Sequence, residues 1–102
     1  MNHPDPLDAM LEELRLDLDE LCRQAGVEST WVCARVDDGL LTLCESGTAI
    51  ETWRFDAAGL RRVRRMVCLE RDFDAVPELA ALVADLEDEV RALRERLQRI
   101  GG

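Results

Sequence analysis

DLDELCRQAGVESTWVCARVDDGLL, residues 17–41, has the pattern of two short helices joined by a tight turn. Asp17 stands at the start of the first, and Glu20, three residues on, is spaced to reach back to the cap's own N–H. That is a capping box with Asp as the cap. Leu18, Leu21, Cys22 and Ala25 then fall on one face at helical spacing. Gly26 supplies the positive φ that ends a helix. A second helix restarts at Ser29 or Glu28, carries Trp31, Val32 and Val36 on its apolar side, and stops at Gly39. The stretch predicts a helix-turn-helix, a unit that usually reads DNA.

Before it, Leu14, Leu16 and Leu18 alternate with Arg15 and Asp17, which predicts a short strand from residue 14. Residues 5–13 predict a short helix with Leu7, Met10 and Leu11 on one side. After it, residues 41–45 and 48–54 alternate apolar and polar side chains around Ser46-Gly47, the pattern of a β-hairpin. The first strand can join it as a third member, giving a winged helix. Asp56 is placed to cap a third helix over 57–71, with Leu60, Val63 and Val67 on its buried side and Arg61, Arg62, Arg64 and Arg65 flanking them. RDFDAV breaks that helix. Asp74 is then placed to cap a last one, with Pro77 in the first turn, where a missing N–H costs little.

The last helix, about 77–100, carries Leu79, Val83, Leu86, Val90, Leu93, Leu97 and Ile100 at spacings of 4, 3, 4, 3, 4 and 3, an unbroken heptad seam. So narrow a stripe calls for a second helix. A homodimer supplies one; the alternative is packing on the chain's own domain. Asp85, Glu87, Asp88 and Glu89 lie early and Arg91, Arg94, Arg96 and Arg99 late, which favours an antiparallel mate. The same polarity suits the helix dipole. The expected architecture is mainly α. An extension (1–13) precedes a winged helix-turn-helix with a small hairpin wing (14–75), and a coiled-coil or dimerisation helix (76–102) follows.

The totals fit a single soluble globular domain: 102 residues, 47% hydrophobic and 34% charged. No apolar run approaches the ~20 residues of a membrane span. MNHPDPLDAM has neither a basic n-region nor an apolar h-region, so no export signal is read. A cytoplasmic protein with free thiols at Cys22, Cys33, Cys44 and Cys68 is expected. The net charge of −9 is unevenly spread. Residues 1–60 hold four Arg against thirteen Asp and Glu, whereas 61–102 hold nine of each sign. The whole acidic surplus lies on the half that contains the helix-turn-helix.

That surplus argues against DNA. A recognition helix presents Arg, Lys, Asn or Gln to phosphates and base edges. STWVCARVDDG carries one Arg and two Asp, and the hairpin carries Glu45 and Glu51 before its first base, Arg54. Phosphates repel such a surface. The Arg61–Arg65 run reads better as a solvated face that neutralises nearby carboxylates. Cys22 and Cys33 sit on adjacent helices, but metal sites usually show close ligand pairs and His partners, and the chain has one His. These thiols read as small buried hydrophobes, and no metal or other cofactor is expected. Catalysis finds no phosphate loop and no nucleophile motif, and the carboxylates are scattered. Trp53, beside Phe55, reads as core. Trp31, early on the second helix, is the better candidate for an exposed anchor in a protein interface.

The order of these parts resembles a known family. Glu20-Leu21-Cys22 with Gly26-Val27, then Gly39-Leu40-Leu41, then Trp53-Arg54-Phe55-Asp56, then DLEDEVRALRERLQRI from Asp85 to Ile100, look like the MerR-type winged helix. More narrowly they resemble the bacterial chaperone-modulator family CbpM, over roughly residues 14 to 100. The resemblance implies a partner. Members bind the J-domain of the DnaJ-like co-chaperone CbpA, block its stimulation of the Hsp70 chaperone DnaK and restrain its DNA binding. J-domains present a basic helix to Hsp70, which an acidic surface suits. The second helix lacks the Arg and paired Tyr typical of MerR regulators, and no Pro follows Gly39-Leu40-Leu41; both departures count against operator binding. A MerR-like transcription regulator is the alternative reading. His3-Pro4-Asp5 matches the signature tripeptide of J-domains themselves, but with no helix before it the match reads as chance. The expected partner-binding residues are Glu28, Trp31, Asp37, Asp38 and Glu45, and the heptad residues are the expected dimerisation seam.

Overall fold

The computed structural model describes residues 11–101. Residues 1–10, with His3-Pro4-Asp5 and most of the helix expected over 5–13, lie outside them, though residues 11 and 12 are helical. Four helices follow: α1 (Leu18–Ala25), α2 (Ser29–Asp37), α3 (Ala57–Asp72) and α4 (Pro77–Gly101), with a 3₁₀ turn at Ile50–Thr52.

The helix-turn-helix forms as its local chemistry dictates. Asp17 Oδ1 accepts from the Glu20 N–H at 2.8 Å, and Glu20 Oε1 accepts from the Asp17 N–H at 3.1 Å. Both halves of the capping box are therefore closed. Gly26 sits at φ 71° and returns its N–H to the Cys22 carbonyl at 2.8 Å. The second helix starts at Ser29 with no side-chain cap. It ends in a Schellman motif: Gly39, at φ 74°, donates to Val36 O, and Leu40 donates to Arg35 O.

The wing differs from the expected hairpin. Among the described residues there is no continuous strand, only two isolated antiparallel bridges, Leu16 with Phe55 and Glu45 with Arg54. A two-residue turn at Ser46-Gly47 would pair Glu45 with Thr48; the pairing with Arg54 leaves a wide loop instead. Thr52 explains the change. Its hydroxyl donates to the Ala49 carbonyl at 2.6 Å, while the Thr52 and Trp53 N–H groups close onto Ala49 O and Ile50 O at 3.0 Å each. Backbone groups a ladder would need are spent on a 3₁₀ turn. Gly47 is packed tightly against this turn, where a Cβ would collide with the Thr52 side chain. The strand expected from residue 14 likewise shrinks to Leu16, which exchanges two 2.8 Å hydrogen bonds with Phe55.

Phe55, Leu21, Met66, Val32 and Val63 are fully buried and form the centre of the core. Trp53 meets Phe55 edge-on, ring centroids 6.5 Å apart. Asp56 caps α3 by accepting from the Gly59 N–H at 2.8 Å. The buried face of α3 is rotated from the expected one. Val63 is central, but Met66 and Leu69 accompany it, and Leu60 and Val67 are only half-buried.

Asp74 does not cap α4. It takes a left-handed backbone, φ 53°, and turns the chain so that α4 doubles back along α3. Asp tolerates that conformation better than most residues. Pro77 opens the helix, and the first backbone bond runs from the Ala80 N–H to Val76 O at 3.0 Å. Ala80, Ala81 and Ala84 are buried, their small side chains letting α4 sit close against the body. Arg62 Nη1 meets Asp85 at 2.6 Å and Arg65 Nε meets Glu87 at 2.7 Å, tying α3 to α4.

Candidate protein-binding surface

The outer face of α2 is built on Trp31. Its neighbour one turn on, Arg35, lies with its guanidinium carbon 4.4 Å from the indole centroid, a cation–π stack. Arg35 is held from below by Glu70 of α3, through Nη2 to Oε1 at 2.6 Å and Nε to Oε2 at 3.3 Å. The two side chains are only 13% and 17% exposed. The fork of the guanidinium therefore has a fixed seat, and the indole packed on it has a fixed backing.

Val27, Glu28, Thr30, Trp31, Ala34 and Arg35 line a shallow hollow here. Of the expected partner-binding residues, the structure brings Glu28 and Trp31 together in it. Asp38 falls seven residues after Trp31, on the same helical stripe; Asp37 is one position off it. Both are exposed at the end of α2. Glu28, Asp37 and Asp38 have no ion-pair partner among the described residues. Glu45 lies apart on the wing, bridged to Arg54 by backbone and 3.9 Å from Arg15, with both of these side chains open to solvent. Sequence reasoning missed Arg35 and Glu70. The i,i+4 spacing of Trp31 and Arg35 was the available signal; the pairing with a residue 35 positions away had none.

The Arg run of α3 is largely committed within the fold. Arg62 donates to Leu40 O at 2.8 Å as well as to Asp85, Arg64 donates to Gln24 O at 3.1 Å, and Arg65 is paired with Glu87. Burial pushes the Cys22 thiol above its ordinary 9.0, with the Asp19 charge and Cys33 adding to the shift. A thiol so placed stays protonated and unreactive at neutral pH.

Along α4 the expected seam splits. Val83 packs partly on the core. Leu79, Leu86, Val90, Leu93, Leu97 and Ile100 are exposed, rising from 45% at Val90 to 81% at Ile100.

A small helical body carrying a helix-turn-helix and a long trailing helix is a MerR-type arrangement, and the description "MerR HTH family regulatory protein" matches residues 16–101. Two relatives narrow this class. A chaperone modulatory protein CbpM from Pseudomonas entomophila (strain L48) is 33% identical over 92 residues, covering 86% of this chain and 89% of the relative. A protein of the same name from Pseudomonas putida (strain W619) is 30% identical over 92 residues with the same coverage. The chain belongs to the CbpM chaperone-modulator family of MerR-type helix-turn-helix proteins. No solved structure matches it. No helix among the described residues is long and apolar enough to cross a membrane.

Proposed function

We propose that this chain is a non-enzymatic cytoplasmic modulator that binds the J-domain of a DnaJ-like co-chaperone of the CbpA type and blocks its stimulation of Hsp70. The observation that carries the reading is the face of α2. An exposed Glu28 lies beside a Trp31 held by the Arg35–Glu70 pair, and exposed Asp37 and Asp38 follow at the end of the same helix. Such a face offers a rigid aromatic anchor within a negative field, which suits a basic helix. Glu45 extends the field onto the wing. In this reading residues 14–75 form the binding body and 76–102 the dimerisation element. The exposed Leu and Val of α4 meet the corresponding helix of a second copy.

Calorimetric titration against the cognate J-domain at two salt concentrations tests the reading. Micromolar binding that weakens with salt, and weakens further in Glu28→Gln and Asp38→Asn, is expected. Absence of binding, or an affinity indifferent to salt, refutes the electrostatic interface. The helix-turn-helix itself favours a second reading, a MerR-like DNA-binding regulator. It predicts a gel shift of the protein's own promoter fragment that is lost on replacing Arg61 and Arg62.

A further inference from the structure

A groove of about 320 Å³ runs between α3 and the first half of α4. Its inner surface is apolar: Ala84 is buried, Cys68 is half-buried, and the aliphatic stems of the α3 arginines run alongside. Its rim carries five arginines, Arg61, Arg62, Arg64, Arg65 and Arg91, against two carboxylates, Glu87 and Asp88.

The charges on that rim are not all balanced. Arg65 is paired with Glu87, and Arg91 reaches Asp88 at 3.3 Å. Arg64 meets only the neutral Gln24, through its backbone and side-chain oxygens, which orients the guanidinium without cancelling its charge. Arg61 has no hydrogen-bond or ion-pair partner among the described residues. Arg61 and Arg64 are three residues apart on one helix and so project to the same side. In a protein of net charge −9 this is a locally positive site whose two unbalanced guanidiniums are exposed to an incoming anion. Arginines in such a setting select planar carboxylates and phosphates.

We propose that this groove binds a small anionic amphiphile, its carboxylate or phosphate head on Arg61 and Arg64 and its apolar tail along Cys68 and Ala84. The site lies between α3 and α4, away from the Trp31 hollow, and does not rest on the J-domain reading. Its size is that of a small-ligand site, and its apolar floor at Cys68 and Ala84 lies between charged walls that orient the guest.

Calorimetric titration of the full chain tests it, with octanoate and octyl phosphate as probes and octanol and inorganic phosphate as controls. One-to-one saturable binding of either anionic amphiphile is expected, and whichever binds tighter identifies the head group. Octanol and inorganic phosphate each lack one half of the ligand and bind at least about tenfold more weakly, the scale of one lost charge-assisted bond. The double variant R61Q/R64Q loses about tenfold or more. The single variant R61Q, which breaks no contact in the described structure, shows the same direction if the double variant does not fold. No saturation by either anion overturns the proposal. So does a control that binds as tightly as the amphiphile, or an unchanged affinity in R61Q.

Discussion

Glu70→Ala removes the carboxylate that seats Arg35 and leaves the surface of α2 otherwise untouched. Two charge-assisted bonds, of 2.6 and 3.3 Å, are lost between side chains only 13% and 17% exposed. A net contribution of about 1 kcal/mol per bond, with little solvent screening at such exposure, puts the destabilisation near 2 kcal/mol. At ~4–8 °C per kcal/mol for a domain of this size, Tm falls by roughly 8–16 °C. Thermal unfolding followed by far-ultraviolet circular dichroism reads this directly. A double-mutant cycle with Arg35→Ala separates the pair energy from the general cost of each truncation. The same variant also probes the candidate interface. Glu70 does not line the Trp31 hollow, so any weakening of J-domain binding in folded Glu70→Ala protein reports the loosened Arg35–Trp31 stack. A Tm unchanged to within about a degree, or a cycle with no coupling energy, would refute the claim that this pair fixes α2 on α3.

Other consequences are as direct. Asp17→Ala opens the capping box at the head of α1 and costs about 1 kcal/mol, whereas Asp17→Ser keeps most of it; urea melts of the two variants compare them. Leu93→Asp places a charge on the exposed seam, so the proposed dimer predicts a sedimentation shift to monomer while the melting of the body changes by less than about 0.5 kcal/mol. An unchanged sedimenting mass argues against the seam as the dimer contact. Iodoacetamide at pH 8 should label the exposed Cys44 before Cys22, as read by peptide mass spectrometry. Because the Cys22 thiol is raised by burial, the folded chain holds that proton longer than the unfolded one does. Its contribution to stability is therefore present below the ordinary thiol value of 9.0 and is lost as pH rises through the raised one. Cys22→Ala should flatten that alkaline decline.

What was legible in the sequence is what short-range chemistry decides. Asp17 with Glu20, and the glycines at 26 and 39, do their work within five residues, and each forms as its spacing implies. Asp74 shows the limit of that logic. An Asp before a helix is read as a cap, but the same short polar side chain suits the left-handed turn that sends α4 back along α3, and the tertiary reversal wins. The wing fails similarly. Its alternating pattern is real, yet Thr52 bonds locally and Ile50 finds no core to enter, being 45% exposed. On α4 the Leu and Val stripe dominated the reading, while the docking face is made of Ala80, Ala81 and Ala84. Alanines are weak pattern signals because their value lies in letting backbones approach. The candidate site was half legible: Trp31 and the carboxylates around it stand out by residue type, but the Arg35–Glu70 seat joins positions that only the fold brings together.

The alanine contact on α4 also makes the distal part of that helix a cantilever. Its root is fixed on the body by the three alanines and by the Asp85 and Glu87 ion pairs to α3, while every residue from Asp88 to Gly101 is exposed. A free helical segment of about a dozen residues is marginal in water on intrahelical terms alone. Its i,i+3 Asp88–Arg91 pair adds a few tenths of a kcal/mol at most. For this arm, ordering and association become a single equilibrium, and the helix content of the whole chain should rise with the concentration of whatever covers it. The reach of the arm is then set by occupancy rather than by sequence alone.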